Sequence, residues 1–482
     1  MNTTEITAGE TGKRNSGKSK LKNMDAIFNP GSVAVVGASH DPGKLGFHVL
    51  KSLTDGEFGG RVFPINPKRG KIMGLEVHAS LKDVPDPVDL AVIIVPAARL
   101  PDVIGDCIEI GVKGIVLITG GFKEVGDENG AALQEQVASL ANGAGIPIIG
   151  PNTFGILNLG IGLNATFTPD FSRVKKGNVA LISQSGGVSH IIGYLSIQNN
   201  VGLGKIMGLG NRCNIDFADA LGYLMRDADT EIIAMYMEGV DDPRKLIQTA
   251  RKYQGKKPVV ALKSGRAALS NKASFSHTGS LAGSHEIYEA AFRQARILSV
   301  DGLEELVDTV KILSSASLLE GGNLAIVSGQ AGPAMIACDM CEGKGLSIRP
   351  FNHSLQKRVN EILPPLTMRS NPVDLGPAWY DLESLKKILK AICEDDDIGA
   401  VLLITVFGEA NRGFVKDLSA MLTDLVGRKP VVGCFFSPLQ EWSEDIAALE
   451  DASSFVNYLT PGRAAAALAN LWRAREIKMA FV

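Results

Sequence analysis

The chain has 482 residues, 45% hydrophobic and 21% charged, with a mean hydropathy of +0.11, enough for several buried cores and about three domains of ordinary size. A formal charge of -3 and a pI near 6.2 argue against nucleic acid or an anionic membrane as the main partner, and apolar runs such as Leu90–Val95 are too short to span a bilayer. Six dispersed cysteines (Cys107, Cys213, Cys338, Cys341, Cys393, Cys434) point to reduced thiols in the cytoplasm and not to a disulfide framework.

Residues 1–23 are polar, rich in Ser, Thr and Lys, and lack the apolar core of a secretory signal; they read as a disordered tail. A first module, 24–155, opens with the apolar run Val33–Val36 and the turn Gly37-Ala38-Ser39. Further strands end at Phe63–Lys68, Ala91–Ala97, Gly114–Phe122 and Ile146–Asn152. Short continuous apolar runs of this kind belong to parallel sheets buried on both faces. Between them Leu100, Val103, Ile104, Cys107 and Ile108 follow the spacing of a helix with one buried stripe, which places Cys107 in the core. The sum is a doubly wound sheet whose loops emerge at the C-terminal edge.

A second module, 156–318, runs from the strand, turn and helix of Asn178–Leu195 through the strands of Glu231–Pro243 and Pro258–Arg266 to a helix at Leu303–Ala316. A third, 319–482, repeats the plan with strands at Asn323–Ser328, Gly399–Phe407 and Pro430–Phe436. Cys338 and Cys341 form a CxxC, but on one side of a helix and without a second Cys or His pair, so no metal site is expected on this chain.

Two loops carry the chemistry. His277 stands in the small-residue stretch Ser274–Phe292, ahead of a helical pattern; an unhindered imidazole there suits acceptance of a phosphoryl group. Ser185, Gly186 and Gly187 follow a buried strand and open a helix, whose first N–H groups and positive dipole end make an anion seat. The Gly37 turn does not fit the GxGxxG dinucleotide fingerprint, and Asn66-Pro67-Lys68 replaces the acidic residue that would hold the ribose of NAD. Lys68 suits instead a phosphorylated adenine cofactor. An NAD-linked dehydrogenase and a non-catalytic, cofactor-binding or regulatory protein of the same fold remain as alternatives.

In order, GAS (37–39), NPK (66–68), IVPA (94–97), GF (121–122), GPN (150–152), SQSGG (183–187), MEG (237–239), SHTGSLAG (276–283) and SNPVD (370–374) resemble the α subunit of ADP-forming acyl-CoA synthetase, a relative of succinyl-CoA synthetase. The resemblance implies an α/β protein: an N-terminal CoA-binding Rossmann domain followed by two flavodoxin-like domains of the succinyl-CoA synthetase type. It implies that Gly37, Ala38, Ser39, Asn66, Lys68, Val95, Ile118, Thr119 and Gly120 hold CoA. His277 would become phosphorylated, Glu238 would hold its ring, and Ser185, Gly186 and Gly187 would seat the phosphate. Acid, CoA and ATP would interconvert with acyl-CoA, ADP and phosphate. The nucleotide, with Mg²⁺, would sit on a separate ATP-grasp β subunit in a heterotetramer. Thr153 replaces the usual Cys after GPN, SGQAGPA (328–334) replaces an Asn-Ala-Gly-Gly loop, and His190 stands where a tyrosine lies near the carboxylate substrate, so these departures bear on which acid is used.

Overall fold

The structure is a computed structural model that describes residues 23–267, 269–270, 285–316, 323–365, 368–408, 414–426, 429–437, 441–453 and 455–479. Of the predicted tail 1–23, residues 1–22 lie outside the described residues, as does His277. The chain divides into two compact units, Met1–Leu303 and Glu304–Val482.

The first unit holds two sheets. In the first, β1 (Ser32–Val36), β2 (Arg61–Ile65), β3 (Leu90–Ile93), β4 (Gly114–Leu117) and β5 (Ile148–Ile149) are all parallel, in the order β2-β1-β3-β4-β5. β1, β3, β4 and β5 are buried along their whole length, because helices cover both faces. Strand order reverses between β1 and β3, and at such a switch point the loops diverge and leave a crevice. Gly37, after β1, and Val95, after β3, flank it. α1 (Leu45–Asp55) follows the Gly37 turn.

The second sheet is mixed. A hairpin of β6 (Gly155–Asn158) and β7 (Leu163–Thr166) precedes β8 (Lys176–Ser183), β9 (Leu203–Gly208), β10 (Ile232–Met237), β11 (Val259–Lys263) and β12 (Leu298–Ser299), in the order β12-β11-β10-β8-β9-β6-β7. β6 pairs antiparallel with both β7 and β9, while the other pairings are parallel. The switch point falls between β8 and β10, where Ser183 is opposite Tyr236. That register brings the Ser185 turn and Glu238 out side by side at the C-terminal edge. One continuous core, including Val33 and Val92 of the first sheet and Ile182 and Met207 of the second, joins both sheets, so two sequence modules fold as one unit.

In the second unit β13 (Asn323–Ser328), β14 (Val373–Asp374), β15 (Ile398–Val406), β16 (Val431–Phe436) and β17 (Val456–Asn457) form a parallel sheet ordered β14-β13-β15-β16-β17. The helix Leu303–Ser315, which the sequence places at the end of the middle module, makes its polar contacts here. Asp308 accepts from Arg463 Nε at 2.8 Å and Nη2 at 2.6 Å, and Lys311 pairs with Glu450 at 2.6 Å. The two compact units part at Leu303/Glu304, so this helix belongs with the second unit. The SNPVD stretch is a structural brace: the Asn371 amide donates to Leu324 O at 2.7 Å and accepts from Ile326 N at 2.9 Å.

Candidate active site

A cavity of about 510 Å³ opens in the first unit above the switch point of the second sheet. Ser185, Gly186 and Gly187 line it together with Glu238 and His190, and Ile118 and Gly120 border it from the first sheet. The sequence placed these residues more than a hundred positions apart at the extremes. Parallel strands collect them because every loop in question leaves a C-terminal strand end.

Ser185 is the N-cap of α2 (Gly186–Gln198); its backbone is extended and its hydroxyl accepts from Val188 N at 3.4 Å. The first N–H groups of such a helix have no carbonyl partner within it, and here they border the cavity. Gly186 lies tight against Phe154, where an added Cβ would stand 3.3 Å from Phe154 Cβ.

Glu238 is 8% exposed. Its turn is held by Gln184, whose Oε1 accepts from the N–H groups of Glu238 at 2.9 Å and Gly239 at 3.2 Å. Tyr236 donates to Glu238 Oε1 at 3.4 Å. Burial pushes the Tyr236 phenol up, Ser264 opposes this through a hydrogen bond, and the Glu238 charge adds to the rise. Lys263, 2% exposed, donates to the Ser264 carbonyl and lies 4.7 Å from the Tyr288 ring centroid. Burial lowers its ammonium pKa, partly offset by attraction to Glu238. Arg212 lines the cavity and is tied to Asp216 at 3.1 Å and Asp241 at 3.2 Å.

His190 reaches the cavity with both ring nitrogens engaged. Nδ1 donates to Gly186 O at 2.8 Å, and Nε2 meets the Thr168 hydroxyl at 2.6 Å. Phe154, Phe167 and Phe171 surround the ring, each with its centroid 5.5 Å away. The ring is thus a fixed wall and not a swinging donor.

The remaining residues expected at CoA form a second cluster around the first switch point. Gly37 has φ +97°, and an added Cβ would stand 2.5 Å from Ile94 O, so the turn requires glycine. Asn66 Nδ2 donates to Ala38 O at 2.8 Å, while its Oδ1 accepts from Lys68 N at 2.8 Å. Asn66 therefore braces two turns. Ser39 accepts from Asp41 N at 3.0 Å, Lys68 is exposed, and Thr119 donates to Val95 O at 2.7 Å. Gly37, Ala38, Ser39, Asn66, Lys68 and Val95 do not line the 510 Å³ cavity; Ile118 and Gly120 link the two regions.

Gln184, Asn152, Phe167, Asn211 and Arg212 also border the cavity and escaped the sequence reading. Gln184 and Asn152 lie inside motifs already singled out. Asn211 and Arg212 follow the end of β9, so the strand-end rule alone points to them.

Fold and site together define a CoA-binding, succinyl-CoA-ligase-like protein. Residues 31–158 match the CoA binding domain family, and 176–313 match the succinyl-CoA ligase like flavodoxin domain. The chain is 35% identical to acetate–CoA ligase [ADP-forming] II subunit alpha of Pyrococcus furiosus, over 92% of this chain and 96% of that protein. It is 38% identical to acetate–CoA ligase [ADP-forming] I of Archaeoglobus fulgidus over 94% of its own length, but spans 64% of that longer protein. Among solved structures it is similar, with a TM-score of 0.86 and 34% identity, to the dinucleotide forming acetyl-coenzyme A synthetase 1 of Ca. Korarchaeum cryptofilum in complex with phosphate and ADP; the match covers 95% of this chain and 99% of that one. The chain belongs to the family of ADP-forming acyl-CoA ligase α subunits. It is an acid–thiol ligase subunit, and the family match favours this reading over an NAD-linked dehydrogenase or a non-catalytic CoA-binding protein. Relatives named as alpha subunits imply a partner subunit. Among the described residues no helix is long and apolar enough to cross a membrane.

Proposed function

We propose that the chain performs the CoA and phosphate half of a reversible acyl-CoA ligase in the cytoplasm, with a small carboxylic acid as substrate. The observation that carries this reading is the meeting of the Ser185–Gly187 helix start, Glu238 and the Ile118–Gly120 turn around one cavity. CoA lies along the Gly37–Ser39 turn, Asn66, Lys68, Val95 and Thr119, with its thioester toward Gly120. Phosphate at the helix start attacks the thioester carbonyl; the C–S bond breaks, and the thiolate leaves and takes a proton as CoA. The acyl phosphate passes its phosphoryl group to an imidazole nitrogen of His277 and releases the acid. Glu238 accepts the other imidazole N–H and so leaves the attacking nitrogen unprotonated. Backbone amides at the helix start stabilise the charge on the transferring oxygens. His190 and its aromatic surround form the wall that selects the acid.

Phosphohistidine then meets ADP and Mg²⁺ on an ATP-grasp β subunit, in a heterotetramer of two such pairs. The functional division is a CoA domain at 24–155 and two ligase domains at 156–318 and 319–482. The test is labelling: with its partner subunit, Mg²⁺ and γ-labelled ATP, the chain should acquire an acid-labile, base-stable phosphate, and His277→Ala should acquire none. Equal labelling of the two would remove the central step.

A further inference from the structure

The two halves of the proposed thioester cleavage stand on different sheets: the Ile118–Gly120 turn follows β4, and the phosphate seat follows β8. Glu124 ties the first of these to the second sheet. Its Oε1 accepts from Gly121 N at 2.6 Å, and its Oε2 accepts from Phe122 N at 3.2 Å and from Asn211 Nδ2 at 2.5 Å. The turn wraps closely about this carboxylate, since a Cβ at Gly120 would stand 3.1 Å from Oε1.

Asn211 lies in the loop after β9 and borders the cavity. Its Nδ2 also donates to Gln134 Oε1 at 3.1 Å, its Oδ1 accepts from Asn152 Nδ2 at 3.4 Å, and its backbone N–H donates to Pro151 O at 2.9 Å. Asn152 N donates in turn to Thr119 O at 2.9 Å. One asparagine of the second sheet is thereby pinned to two turns of the first, and the strongest tie, a charge-assisted hydrogen bond, ends on Glu124.

We infer that Glu124 is a positioning residue for thioester cleavage, fixing through Asn211 the separation between the Ile118–Gly120 turn and the phosphate seat. The inference rests on the reaction proposed above. Attack requires the phosphate oxygen and the carbonyl carbon to be held about 3–3.5 Å apart, and a misplacement of about 1 Å costs on the order of 10²-fold in rate. In the reaction proposed above, phosphoryl transfer between ATP and the histidine needs no group of the first sheet, so the two half-reactions separate the role from a general loss of structure.

The experiment uses the full chain with its partner subunit and an acyl-CoA that the wild-type complex turns over. Two rates are measured: labelling of the chain by acyl-CoA plus labelled inorganic phosphate, and labelling by γ-labelled ATP with Mg²⁺. Glu124→Ala should slow the first by about 10²-fold and the second by less than about twofold, with CoA affinity held within about threefold. Glu124→Gln, which keeps an acceptor oxygen, should recover about tenfold of the lost rate. Because the two side chains share one contact, Asn211→Ala should slow the thioester half less in the Glu124→Ala background than it does in wild type. An equal fall in both half-reactions, an unchanged thioester half, or a fall explained by lost CoA affinity overturns the inference. A wild-type complex that neither route labels overturns the reaction on which it rests.

Discussion

Replacing Gln184 by methionine keeps the side-chain volume and removes the acceptor that holds the Glu238 turn. Two backbone N–H groups, 2.9 and 3.2 Å from Gln184 Oε1, lose their partner in a site where Gln184 is 6% exposed. An unsatisfied buried donor costs about 1–3 kcal/mol, so the pair sets a range of about 2–6 kcal/mol. Gln184 and Glu238 border the cavity, where water can take over part of the bonding, and the lower part of that range, about 2–4 kcal/mol, is expected. At about 1.4 kcal/mol per factor of ten, the open population of the turn rises by about 30-fold to 10³-fold. Amide hydrogen exchange at Glu238 and Gly239 reads this directly. Gln184→Glu retains the acceptor and should change exchange by less than about tenfold. Exchange in Gln184→Met within about threefold of wild type would falsify the assignment of Gln184 as the group that fixes this turn.

Gly37→Ala forces a Cβ to within 2.5 Å of Ile94 O at a φ of +97°, so CoA binding measured by calorimetry should be lost, and retained affinity would mean that the turn does not shape the site. Arg463→Met strands the Asp308 carboxylate, whose side chain is 2% exposed, and should destabilise the second unit by about 3–5 kcal/mol in urea melts; a loss under about 1 kcal/mol would show that water replaces the arginine. Burial pushes the thiols of Cys107, Cys341 and Cys434 from 9.0 up to about 12, so native alkylation at a pH of about 8 should spare all three while unfolded chain reacts at each. Between 9.0 and about 12 the unfolded thiols have lost protons that the native ones keep, so stability should fall as pH rises through that window, and a flat profile would contradict the buried placement.

Much of the fold was legible because a parallel strand covered on both faces must be apolar throughout. Val33–Val36, Val259–Leu262 and Val431–Phe436 read as strands on that ground alone. Glycine and Ser-Gly turns at their ends marked the loops that carry chemistry. Ser185 and Glu238, 53 positions apart, were paired by motif, and the register of β8 with β10 makes them neighbours.

Other features depend on contacts that no local pattern encodes. The hairpin β6–β7 joins its sheet through an antiparallel edge, although its residues carry no feature that distinguishes a sheet partner. Asn66 commits both polar ends of its side chain to the backbone of neighbouring turns, and His190 has both nitrogens engaged, partners that no local pattern names. Periodicity records which residues are buried; it does not record against what. By itself the sequence determined the long apolar strands, the turns that follow them and the family, because those follow from local composition and ordered motifs. Only the tertiary structure decided that two modules share one core, that the helix from Leu303 joins the last sheet, and that Glu124 and Asn211 meet, because each depends on which surfaces pack together.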